Sequence, residues 1–187
     1  IGKASSPACL WPPCGGKSES TGHAFCSCPQ LHGARTQAHD NVLLGLSKYL
    51  TDLLTERHRP PTKRFWDLPL HHTGLRLRPV LRPDPTWPGA NILWTPARLG
   101  RLKPDGIIID EVRRTITILE LSRPSDSFPD AVHLSAHRKA IKYSLILDAL
   151  SGYRQEGWRI TLHPLIVGIR GSLIAEVWDE AMLALDI

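Results

Sequence analysis

No stretch of this 187-residue sequence approaches the ~20 consecutive apolar residues of a membrane-spanning helix, and its first residues lack the charged-then-apolar pattern of a secretory leader. The expectation is a soluble intracellular chain with no membrane contact. Cysteine is absent beyond residue 28, so no disulfide framework can tie the body of the chain together. Charge of neither sign dominates: 23 Lys and Arg stand against 18 Asp and Glu. That surplus suits a polyanionic partner without identifying one. The charged fraction of 22% and hydrophobic fraction of 42% argue against global disorder, while 16 prolines and 14 glycines mean that much of the backbone is irregular. The length accommodates one medium domain and a small appendage. Ile1 in place of methionine is what a piece of a longer chain would show.

What is present begins with four clustered cysteines, Cys9, Cys14, Cys26 and Cys28. With His23 they form Cys9-x4-Cys14-x8-His23-x4-Cys28, two ligand pairs separated by a short loop, a spacing that can close around one tetrahedral zinc. A module this small cannot bury enough apolar surface by itself, and a bound metal would supply its folding energy. Gly15 and Gly16 let the chain turn back onto the metal. Cys26 competes with Cys28 for the last position, and two disulfides or four unrelated thiols are the alternatives.

After Gly33 the apolar residues take up helical spacing, with Val42, Leu46, Leu50 and Leu53 in one row and Leu43 and Tyr49 beside it. A helix over residues 36–57 is expected, ended by Pro60 and Pro61. The stretch from Pro60 to Pro104 holds nine of the sixteen prolines, together with Trp87 and Trp94, and reads as loop with short extended pieces. Two strands follow, 106–110 and 115–121, rich in β-branched residues and joined by a polar turn, so they should pair as a hairpin. A helix is expected over 129–152 with Leu134, Ile141 and Leu145 on its inner face. A strand region over 158–169 is expected to be interrupted by Pro164, and a last helix opens at Ser172 with Leu173, Val177, Trp178, Met182 and Leu185 inward. The order helix, hairpin, helix, strand, helix predicts a three-layer α/β domain around a small mixed sheet.

Pro104-Asp105 opens the first strand of the hairpin, and Glu120 lies near the end of the second, inside an apolar run. A carboxylate among Ile118, Leu119 and Leu121 needs compensation, which a divalent cation shared with Asp105 would provide. The alternative is that Glu120 points outward or pairs with an arginine. The following helix carries Arg138-Lys139-x-x-Lys142-Tyr143, whose lysines are neighbours on one face. On a helical projection Lys142 flanks the inner face and reaches the sheet edge, while Lys139 points further out; two solvated lysines are the plainer reading.

Pro104-Asp105-x14-Glu120-Leu121-Ser122 resembles the core of PD-(D/E)XK nucleases, in which the Asp and Glu hold Mg²⁺ and a Lys two residues after the Glu activates water. Here that position is Ser122, and some members of the superfamily supply the lysine from the next helix, where Lys139 and Lys142 stand. The order of segments narrows the likeness. The Cys9, Cys14, His23, Cys28-Pro29 pattern is followed by His39-Asp40-Asn41-Val42-Leu43, then Leu102-Lys103-Pro104-Asp105, Ile118 to Ser122, Arg138 to Tyr143, Gly157-Trp158 and Val167 to Gly171. This resembles the carboxy-terminal region of non-LTR retrotransposon polyproteins of the restriction-like-endonuclease lineage, loosely so over residues 58–101. The resemblance implies a CCHC zinc knuckle over residues 1–35 and a restriction-endonuclease-like domain over 36–187. It implies a nuclear, Mg²⁺-dependent endonuclease that nicks target DNA to leave a 3′-hydroxyl for reverse transcription, with element RNA as a further partner and a reverse transcriptase on the same longer chain. Asp105, Glu120 and the backbone carbonyl of Leu121 would hold Mg²⁺, Lys139 or Lys142 would orient water, and Arg138, Arg159 and Arg170 would contact DNA phosphates. Relatives often have a Thr after the Glu-Leu pair and an aromatic and an acid beyond it; Ser122-Arg123-Pro124-Ser125 keeps only part of that. A nucleic-acid-binding module that no longer cuts is the alternative.

Overall fold

The computed structural model describes residues 8–17, 23, 28–56, 62–124, 130–169 and 171–187. Two central strands organise it. β4 (Gly106–Asp110) is buried along its whole length, and β5 (Thr115–Ser122) is buried from Ile116 to Leu121. Their β-branched residues fit a pleated surface covered on both faces. They pair antiparallel, with Gly106 opposite Leu119 and Asp110 opposite Thr115. In the turn between them, Asp110 Oδ1 accepts the backbone N–H of Arg113 at 2.8 Å. β1 (Lys63–Trp66) lies antiparallel on the outer side of β4, and β6 (Arg159–Ile166) lies parallel to β5, giving a four-stranded mixed sheet in the order β1-β4-β5-β6.

Alternation along these strands sorts the core into two faces. Ile107, Ile109, Ile116 and Ile118 meet Tyr143, Ile146 and Leu150, so α3 (Ala131–Ala149) covers that side together with Leu70. Ile108, Leu119, Leu121 and Leu165 meet Leu43, Leu50 and Leu54 of α1 (His32–Glu56) and Ala181 and Leu185 of α5 (Ala175–Leu185). The molecule is therefore helix, sheet, helix in three layers, a mixed α/β arrangement around a small mixed sheet. A second, two-stranded sheet is formed by β2 (Val80–Pro83) and β3 (Asn91–Trp94), followed by the short α2 (Pro96–Leu99). Thr95 caps α2 by accepting the N–H of Arg98.

Several boundaries and faces differ from the expectations, each for a local reason. α1 begins at His32, because Pro29 starts a 3-10 turn that runs straight into it, so residues 32–35 belong to the helix. Its buried stripe is Leu43, Leu50 and Leu54, and Tyr49 is exposed. Pro164 does not interrupt β6. Val167 donates to Ser122 O, so by alternation the even positions of this edge strand turn away from β5, where a missing N–H costs no ladder bond. β1 was hidden by its length of four residues and its charged start. The inner face of α3 is not Leu134, Ile141 and Leu145: Leu134 is 43% exposed and Ile141 61%, and only Leu145 of the three is buried. After α3 the chain makes a short α4 (Ser151–Gln155) before β6. α5 starts at Ala175, since Val167 and Leu173 form an isolated bridge that holds residues before it extended, and Leu173 is exposed. Gly106 admits no side chain: a Cβ there would come within 2.6 Å of the Trp66 ring.

Candidate active site and metal cluster

The antiparallel register of β4 and β5, continued by one residue beyond the Gly106–Leu119 pair, sets Asp105 opposite Glu120. Such cross-strand neighbours have Cβ atoms about 5 Å apart. Asp105 is fixed from the strand itself, its Oδ2 accepting the backbone N–H of Leu121 at 2.7 Å. Leu121 gives the pair its amide hydrogen, and its side chain lies in the core. Glu120 continues the row Ile116–Ile118 and so faces α3. It is 1% exposed. One of its oxygens, Oε1, is bonded to the ammonium of Lys139, while Oε2 is closed off from solvent with no hydrogen-bond partner among the described residues. Burial first, and then the charge of Asp105, pushes the Glu120 carboxyl above its ordinary range, with Lys139 and, after it, the Tyr143 hydroxyl opposing both.

Lys139 reaches Glu120 because of helix phase. Val132, Lys139, Tyr143, Ile146 and Leu150 form the stripe of α3 that meets the sheet and its continuation, at spacings of seven, four, three and four. This reverses the expected placement of the two lysines. Lys142 is the outer one, its Nζ 3.1 Å from the Tyr143 hydroxyl and 4.6 Å from the centre of that ring. Burial and the Glu120 charge push the Tyr143 phenol above its ordinary value. Ser122, where the nuclease pattern has lysine, shares a 2.9 Å hydrogen bond with Ser135 of α3.

Asp105, Glu120, Lys139, Lys142 and Tyr143 line a cleft of about 520 Å³ between α1, the end of β5 and α3. The α1 wall consists of His32, Arg35, Thr36 and His39, at relative positions 0, 3, 4 and 7 of one helical face. That polar stripe was legible in the sequence, although it was not picked out as part of a site. His39 Nε2 lies 3.5 Å from Asp105 Oδ2, and the Asp105 carboxylate lifts the imidazole from its ordinary 6.5 to about 9 against the opposing effect of burial. The Asp105 carboxylate thus favours the protonated form of His39, which offers it a counter-charge. Arg123, just past β5, also lines the cleft. Of the arginines expected to contact DNA, neither Arg138 nor Arg159 lines this cleft. Arg138 is exposed on α3 outside the cleft lining. Arg159 pairs with Thr115 at the far end of β5, five residues or roughly 16 Å along the strand from Glu120. Arg170 lies outside the described residues.

The second cluster is Cys9, Cys14, His23 and Cys28. All four residues are buried, and their ligand atoms lie within 4.8 Å of one another, so the group can hold a metal ion such as zinc. The Cys14 and Cys28 sulfurs are 3.6 Å apart, near the separation that two thiolates have on one tetrahedral zinc. Burial and the adjoining sulfurs push the Cys14 thiol up to about 12, so without a cation it stays protonated. Burial also opposes ionisation of Cys28, but the N–H groups of Gln30 and Leu31 and the Cys14 thiol outweigh it and hold Cys28 below its ordinary value. Cys26 lies outside the described residues. Arg35 ties this cluster to the cleft, its Nη1 donating to Cys28 O at 2.5 Å. The sequence matches no protein-family model and no curated protein, so the chemistry of both clusters has to be taken from their own geometry.

Proposed function

We propose that the chain is a Mg²⁺-dependent DNA endonuclease with a restriction-endonuclease-like domain and a zinc knuckle, acting in the target-primed integration of a retrotransposon. The observation that carries this reading is the buried Glu120, with one oxygen on Lys139 and the other unpartnered, set opposite Asp105 in an open cleft richer in Lys and Arg than in acid. Two carboxylates on neighbouring strands repel, and a buried Glu120 oxygen without a hydrogen-bond partner among the described residues suits a hard cation with oxygen ligands. Asp105 and Glu120 would hold Mg²⁺, which when bound polarises the scissile phosphate and lowers the pKa of water beside it. His39 and the Leu121 amide keep the Asp105 carboxylate in place.

Lys139 would orient the attacking water and offset the negative charge that builds on the phosphoryl oxygens. The water oxygen bonds to phosphorus as the bond from phosphorus to the 3′ oxygen breaks. The 3′ oxygen takes up a proton, the water gives up its own to solvent, and the products are a 3′-hydroxyl and a 5′-phosphate. Incubation with supercoiled plasmid and Mg²⁺ tests the reading: the intact chain should convert it to nicked circles and Asp105→Asn should not. DNA binding without nicking by the intact chain would favour the alternative, a nucleic-acid-binding module that no longer cuts. Ser122 in the lysine position and the occupied Oε1 of Glu120 speak for that alternative.

A further inference from the structure

We propose that Arg123, together with Arg35, forms an anion subsite beside the carboxylate pair that takes a backbone phosphate of the DNA strand; the inference rests on the nuclease reading above. Besides His39, which faces Asp105, the cleft carries two carboxylates against four Lys and Arg side chains, Arg35, Arg123, Lys139 and Lys142. Three of the four are engaged: Lys139 with Glu120, Lys142 with the Tyr143 hydroxyl and ring, and Arg35 with Cys28 O. Arg123 differs. Its Nε is shut off from solvent and has no hydrogen-bond partner among the described residues. A charged donor left in that state is unfavourable until an acceptor arrives.

The acceptor's chemistry follows from the donor. A guanidinium offers a rigid planar fork that matches two oxygens of a phosphate, and a second arginine lining the same cleft favours an anion over a neutral ligand. Position points the same way. Arg123 follows Glu120 by three residues, just past the end of β5, and Arg35 belongs to the α1 stripe that forms the facing wall. A strand in the cleft would therefore meet Arg35 of α1 and Arg123 just past β5 as well as the lysines of α3.

The test measures binding with no divalent cation added, so that no strand is cut. The affinity of the intact 187-residue chain for a short fluorescent DNA duplex is followed by anisotropy across a series of salt concentrations. Arg123→Gln should weaken binding about tenfold and lower the slope of log affinity against log salt by about one, as expected for one lost phosphate contact. Arg123→Lys should keep the slope while losing part of the affinity, and Arg159→Gln should change neither. Arg35→Gln should lower both in the same direction, and it carries the test if thermal melting shows Arg123→Gln to be misfolded. Wild-type affinity and slope in the Arg123→Gln or the Arg35→Gln protein would overturn the subsite. Asp105→Asn separates this from the parent reading: plasmid nicking by that variant would sink the nuclease while leaving the salt slopes to decide the subsite.

Discussion

Glu120 shows how one residue can be both a cost to the fold and the centre of a site. Its burial is tolerable because Lys139 supplies a counter-charge from α3, so removing that lysine leaves a carboxylate with neither water nor cation. Lys139→Met should lower stability at pH 7 by about 3 kcal/mol by urea unfolding, and adding Glu120→Gln should recover part of the loss. A second buried group gives a pH signature. His163 is buried on β6, its Nε2 without a partner among the described residues, and burial holds its imidazole below the ordinary 6.5. Below 6.5 the unfolded chain binds a proton that the folded chain refuses, so this residue's contribution to stability falls as the pH drops through the window beneath 6.5 and is level above it. Subtracting the urea midpoints of His163→Leu from those of the intact chain between pH 5 and 7 should leave that slope. The acid at 120 was visible in the sequence, because a carboxylate inside Ile118, Leu119 and Leu121 is conspicuous. Its partner was not, because helix phase, which spacing leaves open, decides which lysine arrives.

At the scale of elements, the hairpin was legible and α3 was only half so. β4 and β5 consist of β-branched runs separated by a polar turn, and their antiparallel register follows almost directly from that pattern. α3 carries apolar residues nearly all round: Leu134 and Ile141 look like a core stripe, yet the sheet is met by Tyr143, Ile146 and Leu150. Only the neighbouring layer tells the two stripes apart. Ile146→Ala should cost about 2–5 kcal/mol, whereas Ile141→Ala should stay within about 0.5 kcal/mol, both measured by chemical denaturation. β1 was missed because four residues starting with Lys63-Arg64 carry too little alternation to announce an edge strand. The α1 wall of the cleft was spelled out in the spacing of His32, Arg35, Thr36 and His39, but polar side chains on a helix are ordinarily solvated, so spacing alone gave no reason to select them.

Across the whole molecule, the two clusters are joined by one helix. Cys28 stands just before the turn that becomes α1, Arg35 reaches back to its carbonyl, and His39, one turn on, touches Asp105. Loss of metal from the cysteine cluster should therefore be felt in the cleft. Treatment with a zinc chelator, or Cys28→Ser, should lower the melting temperature and the helical circular dichroism and weaken DNA binding, while Cys26→Ser should do none of these. Equal tolerance of both cysteine changes would break the link.

Mn²⁺ binding followed by electron paramagnetic resonance reads directly whether Asp105 and Glu120 together hold a divalent cation. The intact chain should take up one Mn²⁺ that Mg²⁺ displaces, with binding lost in Asp105→Asn and in Glu120→Gln while both variants remain folded. Mn²⁺ binding that is absent from the intact chain, or that survives unchanged in both variants, would contradict the account.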